Sequence, residues 1–199
     1  GTNDGSHNGY SITAEYITSI TTKSGVVFVA GTGNQGNNKG HASNYIKNQG
    51  EFDTVELYMS KDMKQFTLFI WVQKPNRMLL SLIAPTGEET GYFTNQISAK
   101  SYRKFYLIDS EVYVWGIDPE YLTGHQVFIL RFYNIKAGIW KIKLKGELIF
   151  SGRYDIWLDC KELLPEGMKF LESDSESTLT APSTTKNTIS VAYYDGKTG

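Results

Sequence analysis

Cysteine is almost missing. Cys160 is the only one in 199 residues, so no disulfide can form within the chain and no thiolate cluster can hold a metal. Following Ile156-Trp157-Leu158, it is expected as a small buried hydrophobe, because a reactive thiol needs an accessible, electropositive setting. Long apolar runs are lacking too. The longest, at 66–72 and 127–132, fall far short of the roughly 20 residues that span a bilayer, so no membrane span is expected. Neither sign of charge is in excess: 20 Lys and Arg stand against 21 Asp and Glu. No basic stripe recurs on one face, which argues against a nucleic acid partner. No methionine opens the chain, which starts Gly1-Thr2-Asn3-Asp4-Gly5 and stops at Lys197-Thr198-Gly199. Both ends read as cut from a longer protein.

Aromatic residues, in contrast, are plentiful, with 13 Tyr, 10 Phe and 4 Trp in a chain that is 40% apolar. That is ample material for a core. Residues 11–23 have helical rhythm, with Ile12, Tyr16, Ile17 and Ile20 on one face. Glu15 and Lys23 suit the helix dipole at their respective ends, and Gly25 follows as a C-terminal cap candidate. Val26-Val27-Phe28-Val29-Ala30 is a continuous apolar run, the pattern of a parallel strand covered on both faces. Beyond about residue 53 the texture changes. Short alternating, aromatic-rich runs predict strands near 54–59, 65–72, 78–84, 102–108, 112–116, 126–133, 138–144 and 154–158, with turn residues between them. A further apolar strand is expected at 188–192. The fold class is therefore mainly β: an antiparallel β-sandwich, jelly-roll-like, inserted into a fragment of an α/β domain. The division is an N-terminal α/β part over 1–50, an inserted sandwich over 51–170 and a return to the α/β frame over 171–199, the two ends meeting as domain termini usually do.

The sharpest local feature is Gly31-Thr32-Gly33-Asn34-Gln35-Gly36, directly after the apolar strand. Ligands of open α/β sheets bind beyond the carboxyl ends of strands. Gly31, Gly33 and Gly36 would let the backbone adopt positive φ, and Asn34 offers a neutral amide donor of the kind that stabilises a developing oxyanion. Taken alone, the same residues also suit an ordinary Gly-Asn turn. The three histidines look scattered: His7 in the first loop, His41 on the surface near the glycine turn, and His125 between strands. Such spacing gives no zinc motif. Asp53, Asp155, Asp159 and Glu162 match no calcium loop. Trp71, Trp115, Trp140 and Trp157 fall in or at the ends of predicted strands, where core packing and contact with the α/β frame are the expected roles; aromatic platforms for carbohydrate are the alternative.

Residues 26–36 resemble the segment of subtilisin-like serine proteases in which an apolar strand runs into Ala-Ala-Gly-Asn-Glu-Gly. Gly1-Thr2-Asn3-Asp4-Gly5-Ser6-His7 is similar to the loop that precedes it there. Residues 180–192, from Thr180-Ala181-Pro182 to Ile189-Ser190-Val191-Ala192, are similar to the family's Pro-Ala segment and following strand. The long β insertion resembles that of the clostridial Csp-type members.

The resemblance implies that Asn34 is the oxyanion-hole side chain. Gly31, Thr32 and Gly33 then form one wall of the pocket for the residue before the scissile bond, with Gly1 the remnant of the opposite wall. Thr32 and Gln35 depart from the usual pattern, in which a small apolar and an acidic residue stand. The catalytic Asp and His would lie before Gly1 and the nucleophilic Ser after Gly199. The parent protein is thus expected to be a serine endopeptidase acting on polypeptide, extracytoplasmic or spore-associated, and the fragment alone to be inactive. Readings from other classes are a region of a non-catalytic pseudoprotease that binds protein, and a carbohydrate-binding sandwich. No cofactor is implied; calcium is frequent in the family, but no site can be assigned. In this frame, strands 26–30 and 188–192 should be parallel neighbours with helix 11–23 packed on one face, and the isolated fragment is expected to self-associate through exposed sheet edges.

Overall fold

The computed structural model describes residues 2, 3, 5–93 and 100–193. In chain order, α1 (Ile12–Thr21) leads to β1 (Phe28–Gly31), β2 (His41–Tyr45), β3 (Phe52–Met59), β4 (Met63–Val72), β5 (Arg77–Ile83), β6 (Lys100–Phe105), β7 (Ser110–Ile117), β8 (Gln126–Ile135), β9 (Gly138–Leu148) and β10 (Arg153–Trp157). A 3-10 turn (Lys161–Leu163) follows, then β11 (Lys169–Phe170) and β12 (Thr188–Val191).

Two antiparallel sheets form a sandwich. One has six strands in the order β2-β10-β4-β8-β7-β6, and the other has four in the order β11-β3-β9-β5. All eight strands expected between residues 54 and 158 are present, because alternation marks them. On β4, Phe66, Leu68, Ile70 and Val72 are buried while Thr67, Phe69 and Trp71 between them are half-buried. Facing residues such as Leu57 on β3, Leu80 on β5 and Leu144 on β9 belong to the same buried cluster. Each such side chain contributes about 1.5–3 kcal/mol by leaving water. Two strands lack the pattern and were not anticipated. β2 is His-Ala-Ser-Asn-Tyr and pairs with β10, so the six-stranded sheet begins ahead of residue 51. β11 is two residues long.

Buried polar groups are answered by the backbone, as they must be. Gln126 on β8 accepts the Met78 N–H at 2.8 Å and donates to the Met78 carbonyl at 2.9 Å, joining the two sheets through one side chain. Asn76 accepts from Phe150 N and Gly152 N at 2.7 and 2.8 Å.

Apart from the sandwich, β1 and β12 form a two-stranded parallel sheet, with Phe28 opposite Thr188 and Gly31 opposite Val191. The expected coverage on both faces is not found. Val27, Val29, Ile189 and Val191 are 70%, 57%, 55% and 52% exposed. The apolar sequence specifies a strand that wants cover, and no described residues supply it. α1 behaves likewise. Ser11 caps it by accepting the Ala14 N–H, but it buries Ala14 and Ile17, while Ile12 and Tyr16 of the expected face are 77% and 68% exposed. Gly25 is not the helix cap: α1 ends at Thr21, and Gly25, at φ +83°, serves a separate turn in which Val26 N donates to Lys23 O.

Gly152, at φ +76°, donates to Asn76 where the chain meets Ile46; a Cβ there would lie 1.8 Å from the Ile46 carbonyl oxygen. Gly87 has a similar φ of +88° with nothing within 4 Å. Gly152→Ala should lower stability by about 2 kcal/mol or more, and Gly87→Ala by about 1 kcal/mol. Urea unfolding midpoints check this; equal losses would show that only the dihedral matters.

Candidate functional site

The glycine turn grows directly out of the parallel pair. Thr32 N donates to Val191 O at 3.1 Å, extending the β12 pairing past Gly31, and Thr32 O accepts Thr180 N at 3.1 Å. Gly33 has φ +83° and presses against Thr180; a Cβ there would lie 2.7 Å from both Thr180 Cγ2 and Oγ1. Glycine is required at 33 for both reasons. Gly31 and Gly36 do not have the expected positive φ, Gly31 because it is extended within β1. Gly1 lies outside the described residues.

Asn34 is exposed. Its Oδ1 accepts from Gln35 Nε2 at 3.0 Å, which turns the amide N–H side away from Gln35, and that side hydrogen-bonds the Glu162 carboxylate. Gln35 is buried and spans to the 3-10 turn: its Nε2 also reaches Glu162 Oε2 at 3.3 Å, and its Oε1 accepts Lys161 N at 3.2 Å and Asn38 Nδ2 at 2.6 Å. An acid at 35 could not donate to Asn34. The departure at Gln35 therefore has a physical role here: it fixes which way the Asn34 amide faces. Glu162 is held below the usual carboxylate range by its own backbone N–H, then by the Gln35 amide, Lys161 and the Asn34 side chain.

Next to the turn, residues scattered in sequence come together on the outer face of the six-stranded sheet. Trp157 on β10 lies opposite His41 on β2 and Phe69 on β4. Both His7 and His41 stack on Trp157, at 4.2 and 4.8 Å with interplanar angles of 6° and 8°. His41 is 1% exposed, correcting its expected surface position. Its Nε2 faces Asp155 Oδ1 at 3.1 Å, so Nε2 carries the proton, and its Nδ1 is 3.9 Å from Asp174. Arg153 grips Asp155 through Nη2 and Nε, at 2.7 and 3.0 Å. Burial opposes the charge on Asp155, but the hydrogen bonds from His41 and Arg153 outweigh it and hold the carboxyl low.

His7 has φ +53°, and its two ring nitrogens face the carbonyls of Leu179 at 2.8 Å and Asn3 at 3.2 Å. His125 accepts the Lys74 N–H through Nδ1 and meets Asn8 through Nε2. His7 and His41 thus meet at Trp157, and His7 and His125 line a cavity of about 330 Å³ together with Trp71, Trp157, Arg153 and Glu176 among others. Among the described residues no three His, Cys, Asp or Glu side chains are grouped to hold a metal ion. A larger cavity of about 410 Å³ lies between Gln35–His41, Trp157–Asp159 and the 164–169 segment. Of the other tryptophans, Trp140 is in the core, edge-on to Phe105 and Phe132, while Trp71 and Trp115 are half-buried.

No protein-family model and no curated protein matches the chain. Among solved structures, the Clostridium perfringens CspB protease superposes with a TM-score of 0.85 at 26% identity, over 98% of this chain and 40% of that one. The fold is subtilase-like. The chain therefore corresponds to a subtilase-related region, and it spans two fifths of that protease's length.

In this subtilase-like chain the glycine turn was legible from its motif. The histidine and tryptophan assembly was not, because nothing local marks residues 7, 41 and 157 as neighbours. The one available signal was the weak strand His41–Tyr45, whose pairing with β10 brings His41 beside Trp157.

Burial, stronger than the two carbonyls that favour its cation, pushes the His7 pKa below the usual imidazole range. Below about pH 6.5 the unfolded chain therefore takes up a proton that the folded chain refuses, and stability falls as pH drops through that window. Asp155 adds a separate loss at lower pH, where the unfolded carboxylate protonates first. His7→Phe keeps a flat ring on Trp157 and cannot titrate. The fall in Tm between pH 7 and 5.5 should shrink in this variant, followed by circular dichroism; an unchanged fall would mean that His7 is not its source.

Proposed function

We propose that the chain is the internal region of a subtilisin-like serine endopeptidase of the Csp type. Residues 1–40 and 171–199 form two pieces of its α/β frame, and the sandwich, which begins with β2, forms a jelly-roll-like insertion between them. Asn34 donates to the oxyanion of the tetrahedral intermediate. Gly31, Thr32 and Gly33, with Gly1 opposite, line the pocket for the side chain before the scissile bond. The Asp, His and Ser of the triad are supplied by sequence outside these 199 residues, so the region does not act alone.

The observation that carries this reading is the placement of Asn34: an exposed amide, its oxygen engaged by Gln35, at the carboxyl end of a parallel strand. A fixed neutral donor of this kind stabilises charge that develops in the transition state without reorganising. The likeness to the CspB protease, 26% identical over 98% of the chain, supports the same reading. In the longer protein, Asn34→Ala should lower kcat for a chromogenic peptide by about 10²–10³-fold, the scale of losing one oxyanion donor, with KM little changed. An active protein indifferent to the change would remove the role from Asn34. A wild-type protein that binds polypeptide without cleaving it would favour the pseudoprotease reading.

The same frame accounts for the exposed β1–β12 pair. Parallel sheets are normally covered on both faces, and an isolated pair leaves outer edges with unpaired backbone groups. The 199-residue chain by itself is therefore expected to self-associate, its mass by light scattering rising with concentration. A constant monomer mass would count against open edges at this sheet.

A further inference from the structure

Two routes lead from the sandwich to the glycine turn, and both start at the end of β10. Trp157 Nε1 donates to Ser177 O at 3.0 Å. His7, flat on the same indole, holds Leu179 O at 2.8 Å. The next residue is Thr180, whose N–H and hydroxyl both point to Thr32 O, at 3.1 and 3.4 Å, and whose side chain is the surface that Gly33 packs against. Thr180 is 1% exposed, so this contact has no slack. Ala181 and Thr2 exchange backbone hydrogen bonds at 2.8 and 3.1 Å, tying the loop that bears His7 to the same place. The second route is shorter: Lys161 N and Glu162, just past β10, meet Gln35.

We propose that Trp157 and His7 are positioning residues for the proposed oxyanion turn, and that through them the inserted sandwich sets where Asn34 stands. The inference rests on the protease reading for its catalytic consequence, but its structural part does not. Trp157 touches neither Asn34 nor any reacting atom. It fixes Ser177 and, with His7, Leu179; these fix Thr180, and Thr180 fixes Thr32 and Gly33. A donor misplaced by a fraction of an ångström stabilises a transition state less while leaving ground-state binding nearly intact.

The test has two arms. In the longer protein, Trp157→Phe, which keeps a flat ring but lacks the N–H, and His7→Ala should each lower kcat for a chromogenic peptide by about five- to tenfold, the scale of one hydrogen bond, with KM nearly constant. His7→Gln, whose amide can still donate to the Leu179 carbonyl, should recover part of the loss. Trp115→Ala, on the same sheet face but outside the relay, should leave kcat unchanged. In the 199-residue chain, the ¹H–¹⁵N resonances of Thr32, Gly33 and the Asn34 side chain should shift in Trp157→Phe and stay put in Trp115→Ala. Shifts together with a wild-type protein that hydrolyses nothing would support the positioning role and sink the protease reading alone. Unmoved resonances, or an unchanged kcat in Trp157→Phe beside a large loss in Asn34→Ala, would overturn the positioning role. A loss of equal size in Trp115→Ala would do the same, because it would mark general destabilisation.

Discussion

Parallel pairing of Phe28–Gly31 with Thr188–Val191 constrains everything between them. Parallel neighbours cannot be joined by a tight turn; they need a crossover, ordinarily a helix. Here the crossover contains an entire sandwich. The entropy of closing so long a connection grows only as the logarithm of its length, and the sandwich shortens it further by folding its own ends together. β2 lies against β10; Phe170 N donates to Lys39 O, and Asp174 N donates to His41 O. The chain leaves and re-enters through adjacent points, so the parallel pair closes a short gap rather than a long one.

The six-stranded sheet consequently has two kinds of apolar surface. Its inner face meets the four-stranded sheet and supplies the core. Its outer face near β10 is covered by the first loop and the returning segment, through the stack of His7 and His41 on Trp157. Charge is handled there by pairing: Arg153 and His41 converge on Asp155, and Arg153 also reaches the Tyr45 hydroxyl at 2.9 Å. Removing one partner from such a group would leave a buried charge exposed to its full desolvation penalty.

How much was readable in the sequence depended on how local its cause was. The long strands were legible because side-chain alternation is a property of the strand itself, as in Phe66-Thr67-Leu68-Phe69-Ile70. β2 was not, since its His-Ala-Ser-Asn-Tyr has no alternation and exists through pairing with Arg153–Trp157. The glycine turn was legible as a motif, but of its three glycines only Gly33 takes the left-handed backbone, and Thr180, whose side chain also excludes a Cβ there, is distant in sequence. The burial of His41 is invisible in the sequence for the same reason: it comes from Trp157, Asp155 and Asp174, none of which is near it in the chain. The exposed valines of β1 show the converse. A pattern states what a strand requires and is silent on where the cover comes from.

The tether from Asn34 to β2 is short and pinned along its length. Leu158 N holds Gly40 O at 2.8 Å, Phe170 N holds Lys39 O at 2.9 Å, and His41 is locked in register against Trp157. Strand register is discrete, and a slip by one residue turns every side chain to the opposite face. Adding or deleting a single residue between Gly36 and Gly40 would therefore have to be absorbed in the tether itself or would swing His41 out of its aromatic stack. In this stretch the spacing is held more tightly than the side chains, and related chains should vary here in identity well before they vary in count.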